Sequence, residues 1–560
     1  MEKHLRALRF ITALVVVAIA TLIGWLLTID EAAFEAMIDR SFGYGAIPDY
    51  PDKLPLPTRM RLIWAASSWA ALVGIVAVWP LLARALYNGV SCAWRCGRSA
   101  LAQVWATIPM WERWSFALAL LVCTSIRIAF AVADPPMLDE ALNWLLFGDR
   151  GPLVALTWYA APNNHIGHSL LASIIGLLPV DPLLALRAPS IMAAGLAQGA
   201  LYLLLRRICG LAPALLAIAF AMASPLVLYF DHLGRGYSMV LLAFTAGFGA
   251  AAHWLKARDP RALHLLTLAA ILGVIVMPSV VYGYGALAGS LMLFSHERLR
   301  VLRAFAWAML GIAALYAPSL IVSGTAAFSE NPWVRPIGYA AMAESYWPHV
   351  KLAFEGLVGF RFGLLSAMAV LVLAAALTRI ERKQLAVMCF SVVALALALP
   401  FIHGVLPFER VFVFLIVPLT VAIGLLVQRM LPAGAVGWLV LPIPLILVAT
   451  QTIRLRQALP IAEAVAFRAD GACSALKSSA PKRIIGQAQP LTSFALFDFK
   501  RGGYPIGARF DVIGATQSPA RSGEAFIGWK TDLAVLSSDS LLFTDEGPDA
   551  IWVISSAPAP

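Results

Sequence analysis

Long apolar runs separated by short charged segments recur along most of the chain. An apolar run of about 20 residues is long enough to cross the hydrocarbon core of a bilayer as a helix. Scanned with a window of about 19 residues, the sequence predicts about thirteen such spans. They lie near residues 10–27, 62–83, 114–133, 183–205, 210–230, 237–255, 261–278, 279–295, 303–323, 362–379, 384–402, 410–428 and 433–451.

The basic residues between these spans fall on one predicted side of the membrane. Lys and Arg accumulate in cytoplasmic loops, so this side and the N-terminus are predicted to be cytoplasmic. The residues concerned are Lys3, Arg6, Arg9, Arg206, Arg207, Lys256, Arg258, Arg261, Arg298, Arg300, Arg303, Arg379, Arg382, Lys383 and Arg429. The first apolar run also follows basic residues, as in a signal peptide, but its length of about 18 residues favours an uncleaved anchor.

Composition agrees with this topology. Hydrophobic residues make up 61% of the chain and charged residues 13%, and the mean hydropathy is +0.80. Soluble domains do not reach such values. The formal charge of +11 would suggest a nucleic-acid partner for a soluble protein, but the cytoplasmic loops account for it here. We therefore predict an all-α polytopic membrane protein, in contact with membrane lipids and with no nucleic acid.

The chain divides into three predicted parts. Residues 1–113 hold the first two spans and a basic, Trp-rich stretch, 84–114, that fits a segment lying in the cytoplasmic interface. Residues 114–451 form the transmembrane core. Residues 452–560 change to short β-prone runs such as "FDVIG", "AFIGW", "LAVLS" and "AIWVIS", which predict a small periplasmic α/β domain.

The six cysteines are scattered along the chain. Cys92 and Cys96 form a C-x3-C pair, but no matching His or Cys cluster accompanies them in the sequence. The spacing therefore predicts neither a zinc site nor a disulfide framework.

The stretch "DPPMLDEALN", residues 134–143, places adjacent carboxylates where the chain leaves a predicted span. It opens an outer loop, 134–182, in which "LNWLLFG" and "HIGHSLLASIIGLL" are apolar but too short to span. Such segments are typical of amphipathic helices on the membrane surface, which here would cover a cavity. At the centre of the loop, "TWYAAPNNHIGHS" concentrates polar side chains beside aromatic ones. The polar ones are Asn163, Asn164, His165 and His168.

This arrangement resembles the GT-C superfamily of membrane glycosyltransferases, and most closely its protein O-mannosyltransferase and lipid A aminoarabinose transferase branch. The resemblance rests on Asp139-Glu140 after a span, on "PNNH", and on the long basic-ended span "LRAPSIMAAGLAQGALYLLLRR". It continues in "YFDHLGRGYSMVLLAFTAGFGA" and in "PFERVFVFLIVPL", and it covers roughly residues 114–451. Asn163, Asn164 and His165 stand where the aminoarabinose transferases show a Glu-Lys-Pro element, so their substrate does not transfer directly.

The resemblance implies a GT-C fold and transfer of a hexosyl or pentosyl group from a polyprenyl-phosphate donor. The acceptor would be a hydroxyl of a lipid, a glycan or a protein on the periplasmic face, with inversion at the anomeric carbon. The chemistry of the residues is compatible with this. A departing phosphate needs no general acid, so a base for the acceptor hydroxyl and cations for the phosphate suffice.

Asp139 is the predicted base, because it occupies the acidic position of the family. Glu140 is predicted to orient the acceptor or to assist, since adjacent residues on a helix point about 100° apart. Taken as residue types alone, both are also compatible with solvated acids at the first turn of a helix.

Three cations are predicted to bind the donor phosphate. Arg410 ranks first, because an Arg near the lipid boundary usually pairs with an anion; a salt bridge with Glu409 or snorkelling into headgroups is the alternative. Arg235 ranks second, in the Gly-flanked turn "HLGRGYS". Lys351 belongs to the outer loop 324–361, which also carries Arg335 and His349. This loop is predicted to close over the phosphate, and a solvated loop charge is the alternative for each of the three residues.

The remaining candidate residues carry weaker signals. His165 and His168 would share one helical face, which permits phosphate contact, metal binding or a structural hydrogen-bonded pair. No cofactor is certain, and a divalent ion would be expected at Asp139, Glu140 and His165. Tyr282 is predicted either to line the cavity or to pack within its span.

Two other classes of protein share some of these features. A transporter or flippase of a lipid-linked sugar would also have polar residues within spans, but its usual inverted repeats or matching interrupted helices are not evident. An O-antigen ligase or polymerase has a similar number of spans and a large outer loop. It places key basic residues in a late loop, whereas the acidic pair here follows an early span.

Overall fold

The computed structural model describes residues 87–159, 163–323, 326–329 and 336–431 almost continuously. It also describes isolated positions within 17–30, within 65–69 and at 449, and short C-terminal segments at 471–478, 483–486, 497–498, 501, 509–512, 524–529, 541–544 and 551–555. The spans predicted near 10–27, 62–83 and 433–451 lie essentially outside the described residues. The total of about thirteen spans therefore stays a prediction.

The described membrane part is helical throughout. Residues 87–107 form helix α1. The following helices are α2 Met110–Ala133, α3 Leu138–Asn143, α4 Pro152–Thr157, α5 Ile166–Ile175, α6 Pro182–Cys209, α7 Leu211–Met222, α8 Pro225–Phe230, α9 Tyr237–Ala257, α10 Pro260–Val276, α11 Val281–Phe294, α12 Arg298–Ser323, α13 Ala326–Ser329, α14 Tyr339–Val358, α15 Gly363–Leu377, α16 Ile380–Ala398, α17 Pro400–His403 and α18 Ile416–Met430. A π-helical turn, Trp144–Gly148, extends α3, and 3-10 turns precede α11 (Pro278–Val280) and α18 (Glu409–Leu415).

Six of the described helical stretches are long and apolar enough to cross a membrane. A seventh arises if α14 and α15, which meet at an angle of 75°, count as one broken span. Four further apolar helices have 10–17 residues, namely α5, α7, α10 and Pro278–Phe294. The chain is therefore an all-α polytopic membrane protein, as the hydropathy pattern predicted.

Two predicted elements differ from the structure. The span predicted at 210–230 is broken, because the Ser224 hydroxyl caps the first turn of α8 and Pro225 cannot continue α7. The segment predicted as the outer loop 324–361 contains the 20-residue helix α14. Its end at Gly359, with a φ of 89°, starts the bend into α15.

Local sequence signals set several helix boundaries at the surface. The Asp181 side chain caps α6 and the Asp259 side chain caps α10, and a proline follows each of them at the first helical position. Arg206 and Arg207 occupy the last turn of α6, where cations interact favourably with the helix dipole.

The centre of the bundle is built around α9, which packs against α6 and α10. Its apolar side chains Phe244, Phe248 and Trp254 are fully buried. The ring of Tyr284 fits between α9 and α10 because a Cβ at Gly247 or at Gly273 would lie only 2.9 and 2.7 Å from it. These close approaches hold the helices in one register.

The described C-terminal segments form a mixed sheet. Strands β1 Arg483–Gly486, β2 Arg509–Val512, β3 Glu524–Trp529, β4 Leu541–Thr544 and β5 Ile551–Ser555 are arranged in the order β2-β1-β3-β5-β4. The strand β1 is parallel to both β2 and β3, whereas β5 is antiparallel to β3 and β4. Of the predicted β runs, "LAVLS" lies outside the described residues. The Nε atom of Arg501 lies 2.6 Å from Oδ2 of Asp181, at the start of α6.

Candidate active site

The stretch 134–143 forms a tight turn between two helices. Helix α2 ends at Ala133, the two prolines continue in an extended conformation, and α3 begins at Leu138. The Met137 backbone N–H donates to Oε2 of Glu140 at 3.0 Å, which fixes the first turn of α3. Asp139 and Glu140 therefore both occupy this first turn, about 100° apart around the helix axis.

Glu140 forms a fully buried ion pair with Arg187 of α6. The Nε of Arg187 donates to Oε1 at 2.9 Å, and its Nη2 donates to Oε2 at 2.6 Å. The Gly234 backbone N–H also donates to Oε1, at 2.6 Å. Burial by itself raises the pKa of Glu140, but the charge of Arg187 and these hydrogen bonds together lower it below its ordinary value.

The position of Glu140 differs from that predicted for a residue that orients the acceptor. Neither the carboxylate of Glu140 nor the guanidinium of Arg187 has any exposed surface, and both carboxylate oxygens already accept hydrogen bonds from protein donors. Glu140 is therefore a structural partner of Arg187 in this geometry, and only Asp139 of the acidic pair faces outward.

Arg187 connects the elements that surround the acidic pair. Its Nη1 donates to the carbonyl oxygens of Ala131 and Asp134 at 2.8 Å each, and its Nη2 donates to that of Pro135 at 2.9 Å. One side chain thus joins α6 to the end of α2, to the proline turn and, through Glu140, to α3. Sequence analysis missed this residue, although an Arg within an otherwise apolar predicted span is itself a signal of a buried anionic partner.

Asp139 lies between two guanidinium groups. Its Oδ2 is 3.1 Å from Nη2 of Arg235 and 3.4 Å from Nη2 of Arg410. The side chains of Asp139 and Arg410 are 36% and 31% exposed, whereas that of Arg235 is 5% exposed. One negative and two positive charges leave this group, the Asp139 cluster, with a net charge of +1.

Arg235 retains unused hydrogen-bonding capacity. Its Nε and Nη1 atoms are buried and have no acceptor among the described residues. A buried guanidinium that uses only part of its donor fork is costly, and an anion can compensate for it. The Asp139 cluster is therefore arranged to accept a further negative group.

Arg410 and its neighbour Glu409 contact different side chains. Arg410 lies in the 3-10 turn before α18, and its guanidinium carbon is 4.5 Å from the centre of the Phe408 ring. Glu409 instead interacts with His349, with 3.1 Å between Oε1 and Nδ1, while Nε2 of His349 bonds to the Pro407 carbonyl. The alternative of an Arg410–Glu409 bridge is therefore not what the structure shows.

The "PNNH" segment anchors the loop above the site through its side chains. Asn163 donates to the Asp139 carbonyl at 2.9 Å, and Asn143 donates to the Asn163 carbonyl at 2.9 Å. Asn164 is fully buried and donates to two carbonyl oxygens of the preceding turn. The Oδ1 atom of Asn163 is buried without a donor among the described residues, so this amide keeps one free acceptor beside Asp139.

His165 and His168 are buried and neutral. Nδ1 of His165 donates to the Arg235 carbonyl and so fixes the loop that carries this arginine. Burial lowers the pKa of His165 well below its ordinary value, and the charge of Arg235 adds to the effect. Burial, followed by the charge of Arg235, lowers the pKa of His168 to about 4. The predicted substrate contact by these imidazoles stays a prediction.

The loop 231–236, which carries Arg235, is held from its other side as well. Asp231 is buried and pairs with Arg127 of α2, with 2.5 Å between Oδ2 and Nη2. His232 lies 2.9 Å from Oδ2 of Asp134. Asp134, which sequence analysis did not select as a site residue, therefore contributes to the position of this loop.

The three residues proposed for a divalent ion do not form a metal-ligand group within the described part of the chain. The oxygens of Glu140 are taken by Arg187, and Nδ1 of His165 is taken by the Arg235 carbonyl. The donor set at Asp139 therefore does not fit a metal ion, and its surroundings are cationic.

Tyr282 and Lys351 are the remaining predicted site residues. Tyr282 belongs to the buried core of the bundle. Lys351 is 4.0 Å from Glu355 on the same helix and lines an open cavity of about 520 Å³ together with Phe360 and Arg361. Their predicted contacts with substrate remain predictions.

Comparison with known proteins supports the fold class. The chain shares its overall fold with one solved membrane protein of the branch that the resemblance pointed to. It is similar to the crystal structure of ArnT from Cupriavidus metallidurans bound to undecaprenyl phosphate, with a TM-score of 0.51 and 12% sequence identity. The match covers 79% of this chain and 98% of that one. No protein-family model and no curated protein matches the sequence.

Proposed function

We propose that the protein is an inverting glycosyltransferase of the bacterial inner membrane. It transfers a sugar from a polyprenyl-phosphate donor to an acceptor hydroxyl on the periplasmic face. The observation that carries the proposal is the Asp139 cluster, in which one carboxylate is shared by two arginines. The structural neighbour ArnT, solved with undecaprenyl phosphate, supports the donor class.

The excess positive charge of the cluster suits a phosphate. Arg235 and Arg410 present guanidinium donors on either side of Asp139, and guanidinium groups bind phosphate oxygens in the same fork geometry as carboxylates. A donor phosphate would take over these donors from Asp139. The carboxylate would then lose its protein partners and become available to an acceptor hydroxyl.

The proposed reaction is a single displacement. The acceptor oxygen attacks the anomeric carbon from the face opposite the phosphate, and its proton passes to the carboxylate of Asp139. The bond between the anomeric carbon and the phosphate oxygen breaks, and the phosphate keeps the electron pair. Arg235 and Arg410 stabilise the charge that develops on the phosphate. No general acid is required, because phosphate is a good leaving group.

The surrounding contacts support this role because they hold Asp139 and Arg235 in position. Asp139 is held through its backbone by Asn163, and Arg235 through its backbone by His165. Holding reacting groups in position supplies on the order of 7–11 kcal/mol of a reaction barrier in favourable cases. A site at the membrane surface would draw on a two-dimensional supply of lipid-linked donor.

The test uses the purified full-length protein with a panel of radiolabelled polyprenyl-phosphate sugars and cell-envelope acceptors. We expect transfer by the wild type and a loss of about 10²- to 10⁴-fold in Asp139→Asn, because the variant lacks the base. Asp149→Asn, an exposed acid in the same outer segment, serves as the matched control and should retain transfer.

Two results would contradict the proposal. The first is transfer by Asp139→Asn at the wild-type rate. The second is failure of every polyprenyl-phosphate sugar to bind or react, which would favour a transporter or a ligase. Movement of labelled lipid across proteoliposomes without sugar transfer would identify the transporter directly.

A further inference from the structure

A second cluster of reactive side chains lies at the opposite end of the bundle from Asp139. It consists of Cys96 on α1, His253 near the end of α9, and Asp259, the N-cap residue of α10. One potential ligand atom from each of the three lies within 4.8 Å of the others. Because α9 begins next to Arg235 and has 21 residues, the two clusters are about 30 Å apart.

The three side chains are a ligand set that zinc prefers. Zinc binds thiolate, imidazole and carboxylate at about 2.0–2.3 Å in tetrahedral geometry, so neighbouring ligand atoms are about 3.3–3.8 Å apart. The Nε2 of His253 and Oδ2 of Asp259 are 3.7 Å apart, which already matches that spacing. The remaining separations, at most 4.8 Å, need only a small movement of the thiol.

Cys92 lies outside the group of three whose ligand atoms are within 4.8 Å of one another, and it is the candidate for a fourth ligand. It precedes Cys96 by one helical turn, so both thiols lie on the same side of α1. Both are also near enough to Arg261 to affect its electrostatics. Sequence analysis found no partners for this C-x3-C pair because His253 and Asp259 are far away in the chain and only the fold brings them together.

Arg261 binds the Asp259 carboxylate and would compete with a metal ion for it. Its Nε is 3.0 Å from each oxygen of Asp259, and its Nη2 is 3.0 Å from Oδ2. The Arg261 side chain is 51% exposed, and exposed ion pairs contribute little to stability. A metal ion can therefore displace it. One zinc ion with Cys92 and Cys96 as thiolates and Asp259 as carboxylate would leave a net charge of −1.

We propose that Cys96, His253 and Asp259, with Cys92 as fourth ligand, bind a structural zinc ion. The ion clamps α1 to the α9–α10 turn. This contact attaches the segment that precedes the GT-C-like core to that core. The proposal is independent of the proposed transferase activity.

The test measures Co²⁺ binding to the tag-free, full-length protein in detergent, since cobalt reports its ligands by absorption. We expect one equivalent of Co²⁺ with tetrahedral d–d bands and a thiolate-to-cobalt charge-transfer band, both displaced by Zn²⁺. Cys96→Ser should lose the charge-transfer intensity that Cys96 contributes, and His253→Ala should weaken binding. Cys123→Ser, which alters a thiol outside this cluster, should bind Co²⁺ as the wild type does.

A second variant keeps the test informative if the ligand variants fail to fold. Arg261→Gln removes the competing cation, so it should bind Co²⁺ up to about fivefold more tightly than the wild type. The proposal is overturned if the wild type shows no thiolate-to-cobalt band, if that band is unchanged in Cys96→Ser, or if Arg261→Gln does not tighten binding.

Discussion

Glu140 and Arg187, 47 residues apart in the chain, form a two-point ion pair with no exposed side-chain surface. Glu140 directly follows the proposed base, Asp139, whereas Arg187 lies within the largely apolar helix α6. The pair fixes the orientation of α3 and, through the Gly234 N–H, the loop that carries Arg235. The site therefore depends on residues that do not themselves face the substrate.

Loss of one partner of this pair should destabilise the protein strongly. Arg187→Met leaves the Glu140 carboxylate buried without its cation, and breaking a buried pair in this way typically costs about 3–5 kcal/mol. We expect a large decrease in thermal stability, measured by unfolding in detergent. Arg300→Met breaks an exposed pair with Glu297 and should cost less than about 1 kcal/mol. Equal effects of the two variants would contradict the interpretation.

The buried histidines should make stability fall in acid. The pKa of His168 is lowered to about 4 by burial and by Arg235, whereas an unfolded histidine titrates at about 6.5. The unfolded state thus binds more protons in this range. The stabilising contribution is fully present above about pH 6.5 and is lost as pH falls towards 4, by about 3 kcal/mol in total.

The measurement is thermal unfolding between neutral pH and pH 4 for the wild type and His168→Gln. The variant should show a shallower decline, because glutamine does not titrate. His296→Gln, which changes an exposed histidine at the opposite end of the bundle, is the control and should keep the wild-type profile. A decline in His168→Gln as steep as that of the wild type would contradict the prediction.

Arg410 should act on the donor phosphate and not on folding. Its side chain is partly exposed and its ion pair with Asp139 is long, so Arg410→Ala should keep the wild-type unfolding temperature. Loss of one donor to the developing charge should lower kcat by about 10²- to 10³-fold. Arg410→Lys should recover part of this activity, because it restores the charge without the planar fork.

The measurements are steady-state transfer kinetics with varied donor concentration. Arg300→Ala, which removes an exposed arginine at the opposite end of the bundle, is the control for the loss of a positive charge. An unchanged kcat in Arg410→Ala would remove Arg410 from the proposed mechanism.

Sequence patterns predicted the features that depend on consecutive residues, above all the long helices. Hydropathy located the long helices, because each span is a continuous apolar run. The prediction of 183–205 corresponds to Pro182–Cys209, and that of 237–255 to Tyr237–Ala257. The break at Ser224-Pro225 was missed because apolar residues on both sides outweighed the proline in the window.

The site was only partly predictable, because its organisation depends on long-range pairs. Asp139 and Glu140 look equivalent in sequence, and only the arrival of Arg187 from α6 distinguishes them. Likewise, Arg235 and Arg410 were separate candidates until the fold placed both at one carboxylate.

Gly236 should be essential for the position of Arg235. It has a φ of 71°, and a Cβ there would lie 2.9 Å from the Val276 side chain and 3.1 Å from His168. Gly236→Ala should therefore lose about 1–2 kcal/mol from backbone strain and more from the clash. Gly404→Ala is a matched control, because its φ is 65° and its ψ is 21° but a Cβ there meets only the Pro336 side chain, at 3.9 Å. Unfolding and transfer assays on both variants separate the effect of backbone strain from the effect of the clash on Arg235. We expect both to lose stability and only Gly236→Ala to lose donor affinity and transfer, whereas equal transfer by the two would show that Arg235 tolerates displacement.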